Sequence, residues 1–350
     1  MIERVSPSDG QSICQSDRQS DRRGIRQATG QLGTSKPSFL LVFLDGVGLG
    51  VAGENNPLSF PQAMPFLTRY LGQPLLKGAR LARPGVLLKP IDARLGVEGL
   101  PQSATGQTTI YTGQNAPKFL GRHQSGFANG SLRQLIDGYG LFSQALKLGR
   151  TATLANAYSP EYFYSISRRK RRYSVCTLLS LSAGLPFRMQ YEYEQGEAIF
   201  WDIVGDVPPA KNAHTLSQQG ARKLITPAVA GERLARLSGR YGVTLFECYL
   251  TDYAGHAQDK GRAVAALQRI DRFLESAIAH LPANVTLVIT SDHGNVEDIS
   301  TKRHTYNAVP LLVVGPKAQC FEPVKDLTGI TPQMVSLLAS GGGVSRSLSV

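Results

Sequence analysis

The sequence predicts an α/β fold in which helices flank a mostly parallel sheet. The apolar run Ser38–Leu44 is typical of a strand that is buried on both faces. Similar runs recur at Val243–Leu250, Val285–Ile289 and Val309–Val314. The segment Gly261–His280 has apolar residues at helical spacing and separates two of these runs. Such a strand–helix–strand unit favours a parallel sheet.

Composition narrows the class of protein. The chain has 350 residues, which is enough for about two domains by the usual domain size. Hydrophobic residues make up 42% and charged residues 18%, which argues against a wholly disordered chain and against a coiled coil. The net charge of +12 favours an anionic partner, and phosphate esters, nucleic acid and acidic lipid all satisfy that condition.

The cysteines and the apolar runs indicate which cellular compartment the protein occupies. The four cysteines, Cys14, Cys176, Cys248 and Cys320, are far apart and contain no C-x-x-C pair. They therefore argue against a disulfide framework or a thiolate zinc site, and they fit a reducing compartment. No apolar run is long enough for a membrane span, and the N-terminus lacks the apolar core of a secretory signal. We expect a cytoplasmic protein without a membrane partner.

The pattern of strand signals predicts an inserted domain. Residues 1–36 are rich in Ser, Gln, Arg and Asp and are expected to form a disordered tail. Strand signals in residues 37–117 and 242–340 predict a catalytic core. They are lost in residues 118–241, which we interpret as a small inserted cap domain carrying the basic cluster Arg168–Arg172. Residues 341–350 are expected to form a frayed tail.

Acidic and imidazole side chains accompany the predicted strands. The carboxyl ends of parallel strands meet at one edge of a sheet, where ligands of open α/β folds bind. Three carboxylates and three imidazoles at that edge suit two divalent ions, Mn²⁺ or Zn²⁺, with Mg²⁺ left open. Taken alone, Asp45-Gly46 is typical of a turn, and Asp252 with His256 could be a surface pair on a helix. The six candidates are Asp45, Asp252, His256, Asp292, His293 and His304.

A serine in a turn-rich stretch is a candidate nucleophile. Ser103 lies in the segment Gly99–Thr109, which predicts entry into a helix. A helix N-terminus offers N–H groups to phosphate, and a serine bound to a divalent ion can attack phosphorus. Helix capping by Ser103 is the alternative interpretation.

These motifs, in this order, resemble the alkaline phosphatase superfamily. The set Asp45-Gly46, Ser103-x-x-Gly106, Asp252-x-x-Gly-His256, Asp292-His293-Gly-Asn295 and His304-Thr305 is most similar to the branch containing cofactor-independent phosphoglycerate mutase and phosphopentomutase. The resemblance implies an alkaline-phosphatase-like core and a covalent phosphoserine at Ser103. It also implies two metal sites, one made of Asp252, His256 and His304, the other of Asp45, Asp292, His293 and the Ser103 oxygen.

Departures from that branch favour one reaction. The glycerate mutases have histidine where this chain has Gln107, and the 118–241 insert is small beside theirs. We therefore expect hydrolysis of a small phosphate ester, with a phosphomutase as the alternative. Gln107, His123 and Arg303 are the predicted substrate-binding residues. A non-catalytic basic module that binds nucleic acid or protein is the contrasting class, but no nucleic-acid-binding signature accompanies the basic residues. The sequence indicates neither the substrate nor the oligomeric state.

Overall fold

A seven-stranded sheet forms the centre of the protein. The computed structural model describes residues 36–168, 172–206 and 223–340. The sheet has the strand order β2-β3-β7-β6-β1-β5-β4. The strands are β1 (Ser38–Leu44), β2 (Leu81–Arg83), β3 (Val86–Ile91), β4 (Ala152–Leu154), β5 (Val243–Cys248), β6 (Val285–Thr290) and β7 (Val309–Val314).

The described helices include twelve α-helices, which vary widely in length. They are α1 (Pro65–Leu71), α2 (Ser103–Thr112), α3 (Ala116–Leu120), α4 (Gly130–Tyr139), α5 (Leu141–Lys147), α6 (Pro160–Ser167), α7 (Val175–Ser182), α8 (Gln190–Glu194), α9 (Pro227–Ser238), α10 (Leu250–Ala257), α11 (Lys260–Ala279) and α12 (Ile330–Ser340). The predicted α/β class, with helices flanking the sheet, is confirmed.

Strand β1 divides the core into two layers. All seven of its residues are buried. Leu40 and Val42 pack in one apolar cluster with residues of α1, α9 and α11. Phe39 and Leu41 pack in a second cluster with residues of α4, α5, α7 and α12. Because neighbouring side chains of a strand point to opposite faces, this division accounts for the nearly continuous apolar run.

Strand direction brings several chain segments to one edge of the sheet. Strands β4, β5, β1 and β6 run parallel to one another, whereas β7 runs antiparallel to β6, and β3 runs antiparallel to β7. The ends of β1, β5 and β6 therefore lie at the same edge as the start of β7. Ile91 at the end of β3 pairs with Val309 at the start of β7, so the chain leaves β3 at that edge too before it reaches Ser103.

The structure corrects one boundary of the predicted elements. The strand expected over Val243–Leu250 ends at Cys248, and α10 begins at Leu250. The turn into the helix therefore comes two residues earlier than the apolar pattern indicates, and it places Asp252 inside the helix.

Several predictions concern segments that the structure describes only in part. Residues 1–35, 169–171, 207–222 and 341–350 lie outside the described residues, and they include the C-terminal tail, all but Lys36 of the predicted N-terminal tail, and most of the basic cluster. The inserted cap at 118–241 stays a prediction, although β4 of that stretch pairs in parallel with β5 of the core sheet. Among the described residues, no helix combines the length and apolar character that crossing a bilayer requires.

Candidate metal centre

The predicted ligands lie on short connections at one edge of the sheet. Asp45 directly follows β1, while Asp292 and His293 follow β6. Asp252 and His256 are four residues apart on α10, a spacing that places two side chains on the same helix face. His304 lies in the loop before β7, and the antiparallel direction of β7 brings this loop to the same edge.

One group of side chains surrounds the Nε2 atom of His293. This nitrogen lies 3.3 Å from Asp45 Oδ1, 3.5 Å from Asp292 Oδ2 and 3.0 Å from Ser103 Oγ. Asp45, Asp292 and His293 offer ligand atoms within 4.8 Å of one another. Two carboxylates, an imidazole and a hydroxyl thus converge at one point.

A second group surrounds Asp252. Its Oδ2 atom lies 3.4 Å from His256 Nε2, and its Oδ1 atom lies 3.7 Å from His304 Nε2. The Nδ1 atom of His256 lies 2.8 Å from the Lys302 carbonyl oxygen, and the Nδ1 atom of His304 lies 2.9 Å from the Pro101 carbonyl oxygen. A carbonyl only accepts, so each Nδ1 donates to its carbonyl, and each Nε2 faces Asp252. Histidine ligands of metals are commonly oriented in this way.

The two groups adjoin each other through His293. The rings of His293 and His304 are stacked, with centroids 3.6 Å apart and an angle of 13° between the planes. Asp252, His293 and His304 also offer ligand atoms within 4.8 Å of one another. The structure therefore brings all six predicted ligands and Ser103 together, while their division between two ions stays a prediction.

The electrostatics of the first group fit a cation. Asp292 is fully buried, and neither of its carboxylate oxygens nor Asp45 Oδ1 has a hydrogen-bond partner among the described residues. Burial raises the pKa of Asp45 well above its usual range, and Asp292 adds to the rise. Burial also raises the pKa of Asp292, with Asp252 contributing. Burying a carboxylate without hydrogen-bond donors costs free energy. A bound cation would offset that cost, and the oxygen and nitrogen atoms present here are suitable ligands for one.

The histidines are also suited to a cation. Burial lowers the pKa of His293 well below its usual value, and the neighbouring His304 lowers it further. Burial likewise lowers the pKa of His304. Neutral imidazoles present a free lone pair, and this is the form that ligates metals.

The candidate nucleophile is held at the start of α2. Ser103 is the first residue of this helix, and its hydroxyl oxygen lies within hydrogen-bond distance of His293 Nε2, at 3.0 Å. Gly106 allows the close approach, because a Cβ atom there would lie 2.6 Å from the Asp292 Cβ. The spacing Ser-x-x-Gly therefore has a packing reason, since the glycine admits the Asp292 segment and the serine reaches His293.

The predicted substrate-binding residues lie in different settings. Gln107 is buried on α2, and Arg303 is exposed directly before His304. His123 is half-buried, and its Nε2 atom has no hydrogen-bond partner among the described residues. Burial lowers the pKa of His123. The role of these three residues as substrate contacts stays a prediction.

Sequence reasoning missed two buried residues near the ligands. Asn295 donates from Nδ2 to Asp252 Oδ1 at 2.7 Å and so orients that carboxylate. Its position directly after Asp292-His293-Gly294 is a signal that could have indicated this role. Glu297 accepts hydrogen bonds from the backbone of Gly48 and Asn295. Nothing in the local sequence indicates a contact between residues 249 positions apart.

Comparison with known proteins gives partial matches. A family described as the metalloenzyme superfamily matches residues 215–340, a range that includes Asp252, His256, Asp292, His293 and His304. The 2,3-bisphosphoglycerate-independent phosphoglycerate mutase of Yersinia pestis (strain Pestoides F) is 35% identical over 109 residues, which cover 29% of this chain and 21% of the relative. The enzyme of the same name from Syntrophotalea carbinolica is 33% identical over 102 residues, which cover 27% and 20%. The match thus spans about a fifth of the length of these relatives.

Solved structures are similar at the level of the fold. The PH0037 protein from Pyrococcus horikoshii matches with a TM-score of 0.50 and 14% identity, covering 87% of this chain and 97% of that chain. The alkaline phosphatase of the Antarctic bacterium TAB5 matches with a TM-score of 0.49 and 13% identity, covering 88% and 100%.

Proposed function

We propose that the chain is an enzyme of the alkaline phosphatase superfamily and that it hydrolyses a small phosphate ester through a phosphoserine at Ser103. Two divalent ions, Mn²⁺ or Zn²⁺, belong to this proposal. Asp45, Asp292, His293 and Ser103 would hold one ion, and Asp252, His256 and His304 the other. A small phosphorylated molecule is the proposed substrate.

The position of the Ser103 hydroxyl is the observation that carries the proposal. It lies 3.0 Å from His293 Nε2, the atom that also faces Asp45 Oδ1 and Asp292 Oδ2, two oxygens without a hydrogen-bond partner among the described residues. A serine that merely capped a helix would aim its oxygen at the N–H groups of its own first turn. Ser103 instead faces the candidate ligands, and it stands at the positive end of α2, where a phosphate group is stabilised.

The chain's own groups account for a reaction in two displacements. Bound divalent ions would lower the pKa of the Ser103 hydroxyl and offset charge on the transferred phosphoryl group. Ser103 Oγ loses its proton to solvent and bonds to phosphorus while the ester P–O bond breaks, and the departing alkoxide takes a proton from solvent. Water then loses a proton to solvent and bonds to phosphorus while the Ser103 Oγ–P bond breaks, Ser103 Oγ regains a proton from solvent, and inorganic phosphate leaves.

Water access decides between hydrolysis and a mutase reaction. A mutase must exclude water while the phosphoryl group resides on serine. Within residues 118–241, Ile136, Phe142 and Leu179 pack in the same apolar cluster as Phe39 of β1. Part of this already small segment therefore builds the core, which leaves less chain to cover the site and supports hydrolysis. The 33–35% identity to glycerate mutases keeps a phosphomutase as the second candidate.

A direct test follows both products and the enzyme intermediate. Purified protein with Mn²⁺ is offered phosphoglycerates, sugar phosphates and other phosphomonoesters, and free phosphate and isomerised substrate are measured together. We expect phosphate to exceed isomer, and quenched samples to carry one phosphoryl group on Ser103 by mass spectrometry. Isomer in excess would favour the mutase instead.

A matched pair of variants isolates the hydroxyl. Ser103→Ala should lose turnover by at least about 10³-fold, because no nucleophile remains in this position. Thr108→Val is the control, since the Thr108 hydroxyl lies on the same helix but donates to the Ala104 carbonyl. A fully active Ser103→Ala variant would refute the covalent route, and a phosphoryl group found on Thr105 or Thr108 would refute the choice of Ser103.

A cytoplasmic location is part of the same proposal. Cys176, Cys248 and Cys320 are free thiols in the described part of the chain. Free thiols fit a reducing compartment.

A further inference from the structure

We propose that Glu297 is a positioning residue whose buried carboxylate fixes the ligand-bearing loops of both metal sites relative to each other. The inference rests on the proposed function, because it assigns Glu297 a task towards the two ions. Glu297 itself is only 3% exposed and lies four residues after His293.

One oxygen of Glu297 joins the loops that follow β1 and β6. Oε2 accepts from the Gly48 N–H at 3.0 Å and from the Asn295 N–H at 2.8 Å. Gly48 lies three residues after Asp45, and Asn295 lies two residues after His293. The two loops that supply ligands of the first group therefore share a single acceptor.

The other oxygen joins the loop that carries His304. Oε1 accepts from the Thr305 hydroxyl and from Asn307 Nδ2, the latter at 3.1 Å. Thr305 directly follows His304, and its N–H donates to the Gly294 carbonyl at 3.0 Å. One carboxylate is thus bonded to segments beside Asp45, His293 and His304.

The glycines around Glu297 make room for this arrangement. A Cβ atom on Gly48 would lie 2.1 Å from Glu297 Oε1, and one on Gly294 would lie 2.0 Å from it. These separations are far below contact distance, so any side chain there would displace the carboxylate. Two of the glycines next to predicted ligands are therefore explained by Glu297 rather than by loop flexibility.

Another buried carboxylate provides a matched control. Asp271 is 2% exposed and accepts from the Phe66 and Leu67 N–H groups at 2.8 Å each, but these donors lie at the start of α1 and bear no ligand. Replacing either carboxylate by its amide leaves one acceptor oxygen where there were two. Loss of fold stability is common to both changes, whereas loss of metal affinity should be specific to Glu297.

The experiment titrates Mn²⁺ alone into chelator-stripped full-length protein by calorimetry. Wild type, Glu297→Gln and Asp271→Asn are compared, with unfolding by urea measured in parallel. We expect Glu297→Gln to bind Mn²⁺ about 10- to 100-fold more weakly, the usual cost of losing a partner outside the ligand set. Asp271→Asn should keep the wild-type affinity. The visible spectrum of Co²⁺-loaded protein should change only in the Glu297 variant.

A milder variant keeps the inference testable if Glu297→Gln does not fold. Thr305→Val removes one donor to Glu297 and should weaken Mn²⁺ binding and alter the Co²⁺ spectrum in the same direction. Wild-type affinity and spectrum in the folded variants would overturn the inference, and so would equal losses in Glu297→Gln and Asp271→Asn. If wild-type protein binds neither Mn²⁺ nor Co²⁺, the proposed function fails instead.

Discussion

Buried carboxylates lie in two places, one within the core sheet and a pair at its edge. The two places differ in whether the protein supplies hydrogen-bond donors to the carboxylate oxygens. Glu247 of β5 is fully buried, and its two oxygens accept from the hydroxyls of Tyr111 and Tyr249. Asp45 Oδ1 and both oxygens of Asp292 have no such donors among the described residues. Phe43 of β1 is the register partner of Glu247, and Asp45 follows Phe43 by two residues, so the two places are close together in the sheet.

The difference separates a structural carboxylate from functional ones. A buried carboxylate needs hydrogen bonds, a proton or a cation. The protein supplies tyrosine hydroxyls to Glu247 and thereby completes its environment. Asp45 Oδ1 and both oxygens of Asp292 have no such donor among the described residues, and the imidazole of His293 lies beside both carboxyl groups, so a proton or a cation is left to compensate them. Burial without hydrogen-bond donors, close to other possible ligands, is what makes Asp45 and Asp292 candidate metal ligands.

The largest effect that tests this comparison is expected for Asp292→Asn. The change removes one of two neighbouring buried carboxylates, so Mn²⁺ binding by the first group should be lost. Turnover should fall by more than the roughly 100-fold that loss of an outer partner costs. The metal-free variant should be at least as stable as metal-free wild type, because the protein no longer buries two neighbouring carboxyl groups that oppose each other's ionisation. Calorimetry with Mn²⁺, phosphate release and urea unfolding measure the three quantities.

The same measurements can break the comparison. If Asp292→Asn binds Mn²⁺ as wild type does while its metal-free form is markedly less stable, Asp292 is a structural residue like Glu247. The absence of donors would then have no functional meaning.

Sequence predicted the central elements because burial on both faces leaves a strong pattern. Strands β1, β6 and β7 were identified from apolar runs, and α11 from its helical spacing. The short strand β4 has three residues and offers no period to detect. Strand β3 contains Lys89 and Pro90, which break the apolar run, although Lys89 is buried against the Glu322 carbonyl. These failures come from contacts that only the folded chain creates.

The same distinction holds in the site. Asp45, Asp292 and His293 were predictable because each follows a recognisable strand, and topology alone brings strand ends together. Glu297 was not, because its donors are supplied by three separate loops. Glu247 carries no local signal either, since Tyr111 approaches it from a helix 136 residues away. The candidate ligands are thus easier to predict from the sequence than the buried carboxylates whose hydrogen-bond donors come from distant parts of the chain.

A smaller effect is expected for Tyr111→Phe, which sharpens the comparison from the structural side. The variant removes one donor and leaves a buried Glu247 oxygen unsatisfied, which costs about 1–3 kcal/mol of stability. Mn²⁺ affinity should not change, because the Tyr111 hydroxyl donates to Glu247 and not to a candidate ligand. Tyr139→Phe is the control, since Tyr139 is 49% exposed and its loss should alter stability by less than about 0.5 kcal/mol. A weakened Mn²⁺ affinity in Tyr111→Phe would show that the two sets of carboxylates are not independent.

The smallest effect is a pH dependence that belongs to Glu247. Burial raises the pKa of its carboxyl, and the hydrogen bonds from Tyr111 and Tyr249 act against that rise. The folded protein therefore holds a proton on Glu247 at pH values where the unfolded chain, with a pKa near 4.3, has released it. Stability from this group is fully present below the unfolded pKa and is lost as pH rises through the folded pKa.

Glu247→Gln cannot titrate, so the unfolding free energy of wild type minus that of the variant should fall as pH rises across this window. Urea unfolding of both proteins from pH 4 to pH 8 measures the difference, in which titrations common to both proteins cancel. A difference that rises with pH would mean that the tyrosine hydroxyls outweigh burial and that Glu247 is held as a stabilised anion.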